Sequence, residues 1–205
     1  MKKVFLTLCL CAMLIFVAAP AQALLLEFTS DHITGGYGSS GPFGTVNLVE
    51  SGANVVFTVT LFNNSKFVNT QAGDGMSFKF NGTGVAVGDI VFGTAGMNAA
   101  TGVFNGDGGG TFAFGVYFVG QGPGASDPRS GPITFTVNNA VITDFLGLND
   151  KDQIFVADVL SGISGLTGLI DVSDPTGTTL VPEPLTLLLL GFGLVGLAGV
   201  RRFRK

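Results

Sequence analysis

The sequence predicts an all-β fold: one β-sandwich or jelly-roll-like domain, with an N-terminal signal peptide and a single C-terminal transmembrane helix. Three observations predict it. Apolar residues alternate with polar or small ones, at the period of two that a pleated, half-buried strand requires. Glycine-rich breakers separate these runs. No stretch between the two ends shows a helical period. The 205 residues include 32 Gly and 19 Phe, with no Trp and only 2 Cys. Hydrophobic residues make 46%, too many for a disordered chain, and glycine lacks the three-residue period of collagen.

The strand candidates follow in order. The first two are Leu24–Phe28 and Thr45–Val49. In Val55–Phe62, Val55, Phe57, Val59 and Leu61 share one face and Thr58 and Thr60 the other. In Met76–Phe80, Phe78 and Phe80 alternate with Ser77 and Lys79. Val85–Phe92 and Phe112–Phe118 come next, small residues alternating with large ones in the latter. Ile133–Val137, Val141–Phe145 and Ile154–Leu160 complete the set. β-Branched and aromatic residues suit such half-buried surfaces. The breakers are Gly35-Gly36-Tyr37-Gly38, Gly73-Asp74-Gly75, Asn105-Gly106-Asp107-Gly108 and Gly122-Pro123-Gly124. Roughly eight to ten short strands joined this way predict a sandwich, and no repeat of fixed length points to a solenoid.

Both ends differ from the middle. Lys2 and Lys3 precede the apolar run Val4–Val17, and Ala21-Gln22-Ala23 has the small-x-small pattern of a signal-peptidase site, so residues 1–23 read as a secretory signal. Both cysteines, Cys9 and Cys11, fall inside it, which leaves the mature chain without thiol chemistry. At the other end, Val181-Pro182-Glu183-Pro184 is followed by the uncharged run Leu185–Val200 and then by Arg201-Arg202-Phe203-Arg204-Lys205. The apolar run gives about 24 Å of helix at 1.5 Å per residue. That is slightly short of a hydrocarbon core of roughly 30 Å, so Arg201, Arg202, Arg204 and Lys205 would snorkel as a cytoplasmic anchor. Lys2 and Lys3 also belong on the cytoplasmic side, so the two ends agree that the middle lies outside. The expected organisation is a signal peptide over 1–23, a β-sandwich passenger over 24–174, a linker over 175–180 and a sorting segment over 181–205.

The Val181-Pro182-Glu183-Pro184 motif, the Leu/Gly-rich span and the Arg-rich terminus resemble the PEP-CTERM sorting signal of bacterial exported proteins. The same region is sometimes labelled an ice-binding protein C-terminal domain. The resemblance implies recognition by an exosortase-like membrane protease, after passage through the secretory translocon and signal peptidase. It implies a Gram-negative bacterium, with the protein held in the inner membrane and then sorted to the cell envelope or an exopolysaccharide biofilm matrix. Two prolines in three residues also keep Val181–Pro184 extended and accessible. Residues 131–137 and 155–159 resemble passenger domains found upstream of this signal, which implies a sandwich and transfers no site residues.

Within residues 24–180 there are thirteen acidic and four basic residues, a net charge of −9. That balance opposes nucleic-acid binding, which needs clustered cations, and favours repulsion from anionic surfaces. The Asn149–Asp152 and Asn105–Gly110 loops offer oxygen ligands. Asp107, Asp150 and Asp152 are weak candidates for a Ca²⁺ shell, against the reading of Asx turns between strands. No cofactor is otherwise expected. Thr58/Thr60 and Thr134/Thr136 could contact ordered water or sugar, but ordinary exposed strand faces explain them. Tyr37 is either an aromatic platform or a loop anchor. Gly191-Phe192-Gly193-Leu194-Val195-Gly196 fits GxGxxG, but it lies in the expected membrane span without the acidic residue about 20 positions on that a dinucleotide site requires. Gly193, Gly196 and Gly199 could instead form a small-residue face for another membrane helix.

Catalysis is not expected. His32 is the single histidine, and its neighbour Asp31 would point to the opposite face of a strand. No GxSxG, HExxH or CxxC occurs, and no acidic pair is marked as a glycosidase couple. The expectation is a non-catalytic exported protein, structural or adhesive. The alternatives are a Ca²⁺- or carbohydrate-binding module and, behind it, a hydrolase of matrix sugars.

Overall fold

A computed structural model describes residues 22–172 and 179–180 of the protein. The fold is all-β, as predicted, and the described residues from Ala23 onward make one compact unit. The first sheet has six antiparallel strands: β1 (Ala23–Phe28), β3 (Gly44–Ser51), β4 (Asn54–Leu61), β7 (Ile90–Phe92), β11 (Ile133–Asn138) and β14 (Thr179–Leu180). Their order is β14-β1-β3-β4-β11-β7. The second sheet has eight: β2 (Ser30–Asp31), β5 (Lys66–Asn69), β6 (Phe78–Phe80), β8 (Met97–Asn105), β9 (Thr111–Phe118), β10 (Gly124–Arg129), β12 (Phe155–Leu160) and β13 (Thr167–Val172).

In the first sheet, period-two alternation does what the sequence predicts. Val55, Phe57 and Val59 of β4 are fully buried, and Thr58 and Thr60 are only half-buried on the other face. β11 aligns with β4 so that Phe135 lies opposite Phe57 and Thr134 opposite Thr58. The Phe57 and Phe135 rings stack at 4.6 Å. Across the core, Phe57 meets Phe80 of β6 at 5.6 Å and Phe155 of β12 at 6.0 Å. The inward faces of the two sheets thus share one core, in which aromatic pairs contribute beyond the area they bury.

The second sheet departs from simple alternation. β12 pairs along its whole length with β13 on one edge, and β5 and β6 divide the other edge between them. Residues 155–159 are buried without a break. Such a strand is covered on both faces, so its sequence reads as a continuous apolar run. The outer cover comes from the loops at 70–76, 105–110 and 149–153. Gly73 lies against the Asp158 carboxylate, Gly109 against Leu169 and Gly110 against Asn149.

Several expectations are corrected. Val141–Phe145 is not a strand: Ile142–Phe145 is a 3₁₀ turn, closed by the Asp144 carboxylate accepting from the Val141 N–H. It drops Phe145 onto Phe57 with ring centres 4.8 Å apart. Of Val85–Phe92, Val87–Asp89 is a 3₁₀ turn and only Ile90–Phe92 is a strand. In Phe78–Phe80 the alternation does not become a half-buried strand, because Lys79 is as fully buried as the two Phe residues. Strands β5, β8, β10 and β13 have weak sequence alternation and lie outside the predicted set. No helix among the described residues is long and apolar enough to cross a membrane, and Leu185–Val200 lies outside those residues.

Candidate functional site

The outer face of the second sheet carries a buried polar layer. Lys79 of β6 and Asp171 of β13 both lie opposite Val156 of β12, so all three share one row. Asp158, two residues on, faces the same way. The Lys79 ammonium donates to Asp158 Oδ2 at 3.0 Å, with both side chains fully buried. Burial pushes the Asp158 carboxyl up, and the adjacent Lys79 charge pulls partly against it. Such a pair neutralises two charges that would be very costly alone. Asp158 Oδ1 has no hydrogen-bond partner among the described residues.

His32 lies at the rim of this layer. Its Nε2 is 2.8 Å from Asp171 Oδ2, with the imidazole 36% exposed and the carboxylate almost fully buried. Gln153 Nε2 lies 3.4 Å from the same ring nitrogen. The Asp31 carboxylate faces elsewhere, accepting from the Ile33 N–H. A His–Asp pair is the base-and-orienter half of a nucleophilic triad. Among the described residues, no hydroxyl hydrogen-bonds to the ring. The Lys79–Asp158 pair has no exposed surface through which a substrate could reach it.

The two oxygen-rich loops meet, but as partners for each other. Asn149 Nδ2 donates to the Gly109 carbonyl at 2.7 Å, and Asp150 Oδ1 accepts from the Thr111 N–H at 2.8 Å. That backbone bond holds the Asp150 carboxyl below the usual aspartate range. The Asn149 side-chain oxygen accepts from the Lys151 and Gln153 N–H groups, which is an Asx turn. Asp107 and Asp152 take left-handed backbone angles, φ 48° and 59°, of the kind Asp tolerates in turns. Among the described residues, no group of three His, Cys, Asp or Glu side chains converges to hold a metal.

Tyr37 is an anchor and not a platform. Its ring is buried and packs on Phe43 at 4.3 Å, and its hydroxyl shares a hydrogen bond with Ser65 Oγ. Thr58 and Thr134 do become cross-strand neighbours, flanked by Asn47 of β3. An open cleft of about 470 Å³ lies at one end of β4, lined by Thr60, Leu61, Asn64, Ser65, Lys66 and residues 130–132.

One family comparison matches, over residues 180–205, and its description is PEP-CTERM protein-sorting motif. The chain carries a PEP-CTERM sorting signal. The match takes in Val181, Pro182, Glu183 and Pro184, the apolar run and the basic residues Arg201, Arg202, Arg204 and Lys205. The PEP-CTERM motif implies an exported protein handled by an exosortase-type membrane protease. These residues, and Ala21 of the expected signal-peptidase site, lie outside the described part; Ala23 opens β1. The match covers the C-terminal end alone, so it speaks to routing and leaves the chemistry of the folded domain open. No curated protein and no solved structure matches the chain.

Sequence reasoning missed the partners of His32 and Lys79. A signal existed for one: Asp158 interrupts an otherwise apolar strand, as does Lys79 between Phe78 and Phe80. Two opposite charges embedded in buried runs point to a pair. Nothing in the sequence joins His32 to Asp171, which are 139 positions apart.

Proposed function

We propose that residues 24–180 form a non-catalytic, exported two-sheet sandwich, delivered as a structural or adhesive component of the cell envelope or exopolysaccharide matrix of a Gram-negative bacterium. The PEP-CTERM motif at 180–205 is the observation that carries this reading. The domain's own chemistry supports it. The buried charges are spent on one another, and the acidic loops on backbone donors. A net charge of −9 in residues 24–180 suits a soluble exported domain. Residues 1–23 act as the signal, and Leu185–Val200 holds the precursor in the inner membrane until processing.

The test is the intact mass of the protein recovered from the envelope and the matrix of its host. A chain beginning at Leu24 and ending near Val181–Pro184 is the expected result. A chain that retains Leu185–Lys205 in every fraction would replace sorting with permanent anchoring. Release of reducing ends from matrix polysaccharide by the purified protein would overturn the non-catalytic reading.

A further inference from the structure

The open cleft shares no lining residue with the buried polar layer. Its volume, about 470 Å³, falls in the range of small-molecule sites. It lies where the end of β4, the 62–65 turn, the start of β5 and residues 130–132 meet. Thr60, Asn64, Lys66 and Ser130, which carry two hydroxyls, an amide and an ammonium, are among its lining residues. None of these four side chains hydrogen-bonds or ion-pairs with another described residue.

The wall behind them is fixed. Asn63 and Asn64 are consecutive left-handed residues, φ 56° and 57°. The turn they form is pinned through Ser65, whose Oγ accepts from the Gly162 N–H at 2.9 Å and bonds to the buried Tyr37 hydroxyl. A pre-organised wall loses little conformational entropy when a ligand arrives.

Charge narrows the ligand. Of the four basic side chains in residues 24–180, Lys79 is consumed by Asp158 and Arg129 by Asp127. Lys66 and Lys151 have no ion-pair partner among the described residues, and of these two only Lys66 lines the cleft, beside neutral hydrogen-bonding residues. Leu61 and Pro132 add small apolar surfaces, and no aromatic ring lines the cleft. One cation, several hydroxyl-matching groups and an apolar patch suit a polyol with a single carboxylate. We propose that this cleft binds a carboxylated sugar, with the carboxylate at Lys66 and ring hydroxyls at Thr60, Asn64 and Ser130. This site does not depend on the routing proposed above.

The test uses the isotope-labelled full-length protein in detergent micelles, titrated with glucuronate, glucose and inorganic phosphate and followed by amide NMR. Glucuronate is expected to give saturable shifts confined to residues 60–66 and 130–132, with glucose weaker. Lys66→Gln should weaken glucuronate about tenfold, the loss of one charge-assisted hydrogen bond. Asn64→Gly should also weaken it, because glycine keeps the left-handed backbone and only the amide is lost. Lys151→Gln, at an exposed cation elsewhere, should change nothing. Unaltered core resonances in each variant show that the fold survives. Four outcomes overturn the proposal: no saturable shift, glucose binding as well as glucuronate, phosphate binding as tightly as glucuronate, or glucuronate binding untouched by Lys66→Gln.

Discussion

At the level of single residues, the buried Lys79–Asp158 pair is the strongest electrostatic commitment in the domain. Truncating one partner leaves the other charged in a closed site. Lys79→Met is therefore expected to destabilise the protein by about 3–5 kcal/mol in urea unfolding, and pairing it with Asp158→Leu should recover much of that loss. If the single and double variants unfold alike, the pair is not the determinant. Gly73 tests the cover over the same carboxylate. A Cβ there would run into Asp158 Oδ2, so Gly73→Ala must displace the 70–76 loop. A loss of about 1–3 kcal/mol is expected, with faster amide exchange along residues 70–76. Asp150 is the residue with a readable pH signature. Its folded carboxyl sits below the usual value because it accepts the Thr111 N–H. The stability it contributes is present above the unfolded aspartate value and is lost as pH falls through the lowered folded value. Asp150→Asn should flatten that part of the acid-unfolding curve; an unchanged acid limb would separate Asp150 from loop stability.

At the level of elements, β4 organises the core. Phe57 stands among Phe80, Phe135, Phe145 and Phe155, drawn from both sheets and from the 3₁₀ turn. Phe57→Ala should cost about 3–5 kcal/mol, and calorimetry would show it as a lowered Tm. The legibility of each element follows from its burial. The central strands of the first sheet are buried on one face, so their alternation is plain, as in Val55–Leu61. β8 shows the opposite limit. Its residues are half-buried or exposed, and Ala99, Ala100 and Gly102 carry no alternating signal. Val141–Phe145 has strand-like composition, yet a local bond from Asp144 to the backbone turns it into 3₁₀. β-Propensity measures fit to a pleated surface and yields to such local capture. Two of the breakers were legible for a firmer reason: Asp74 and Asp107 take positive φ, and among the described residues all six non-glycine residues that do so are Asn or Asp.

At the level of the whole molecule, the ends and the middle follow different rules. The routing expectation rests on contiguous pieces of sequence, so the mass of the recovered protein is its check. The expected masses begin at Leu24 and end near Val181–Pro184. The sequence by itself determined the all-β class, the strand-forming character of the central runs, the acidic balance of residues 24–180 and the sorting motif. Each of these depends on composition, on a period of two or on neighbours along the chain. Only the tertiary structure decided that Lys79 is buried with Asp158, that His32 meets Asp171, that the two acidic loops cap each other and that Lys66 lines a cleft. These pairings join residues from 39 to 139 positions apart. Strand order and register set them, and local sequence does not encode which strand becomes covered on both faces.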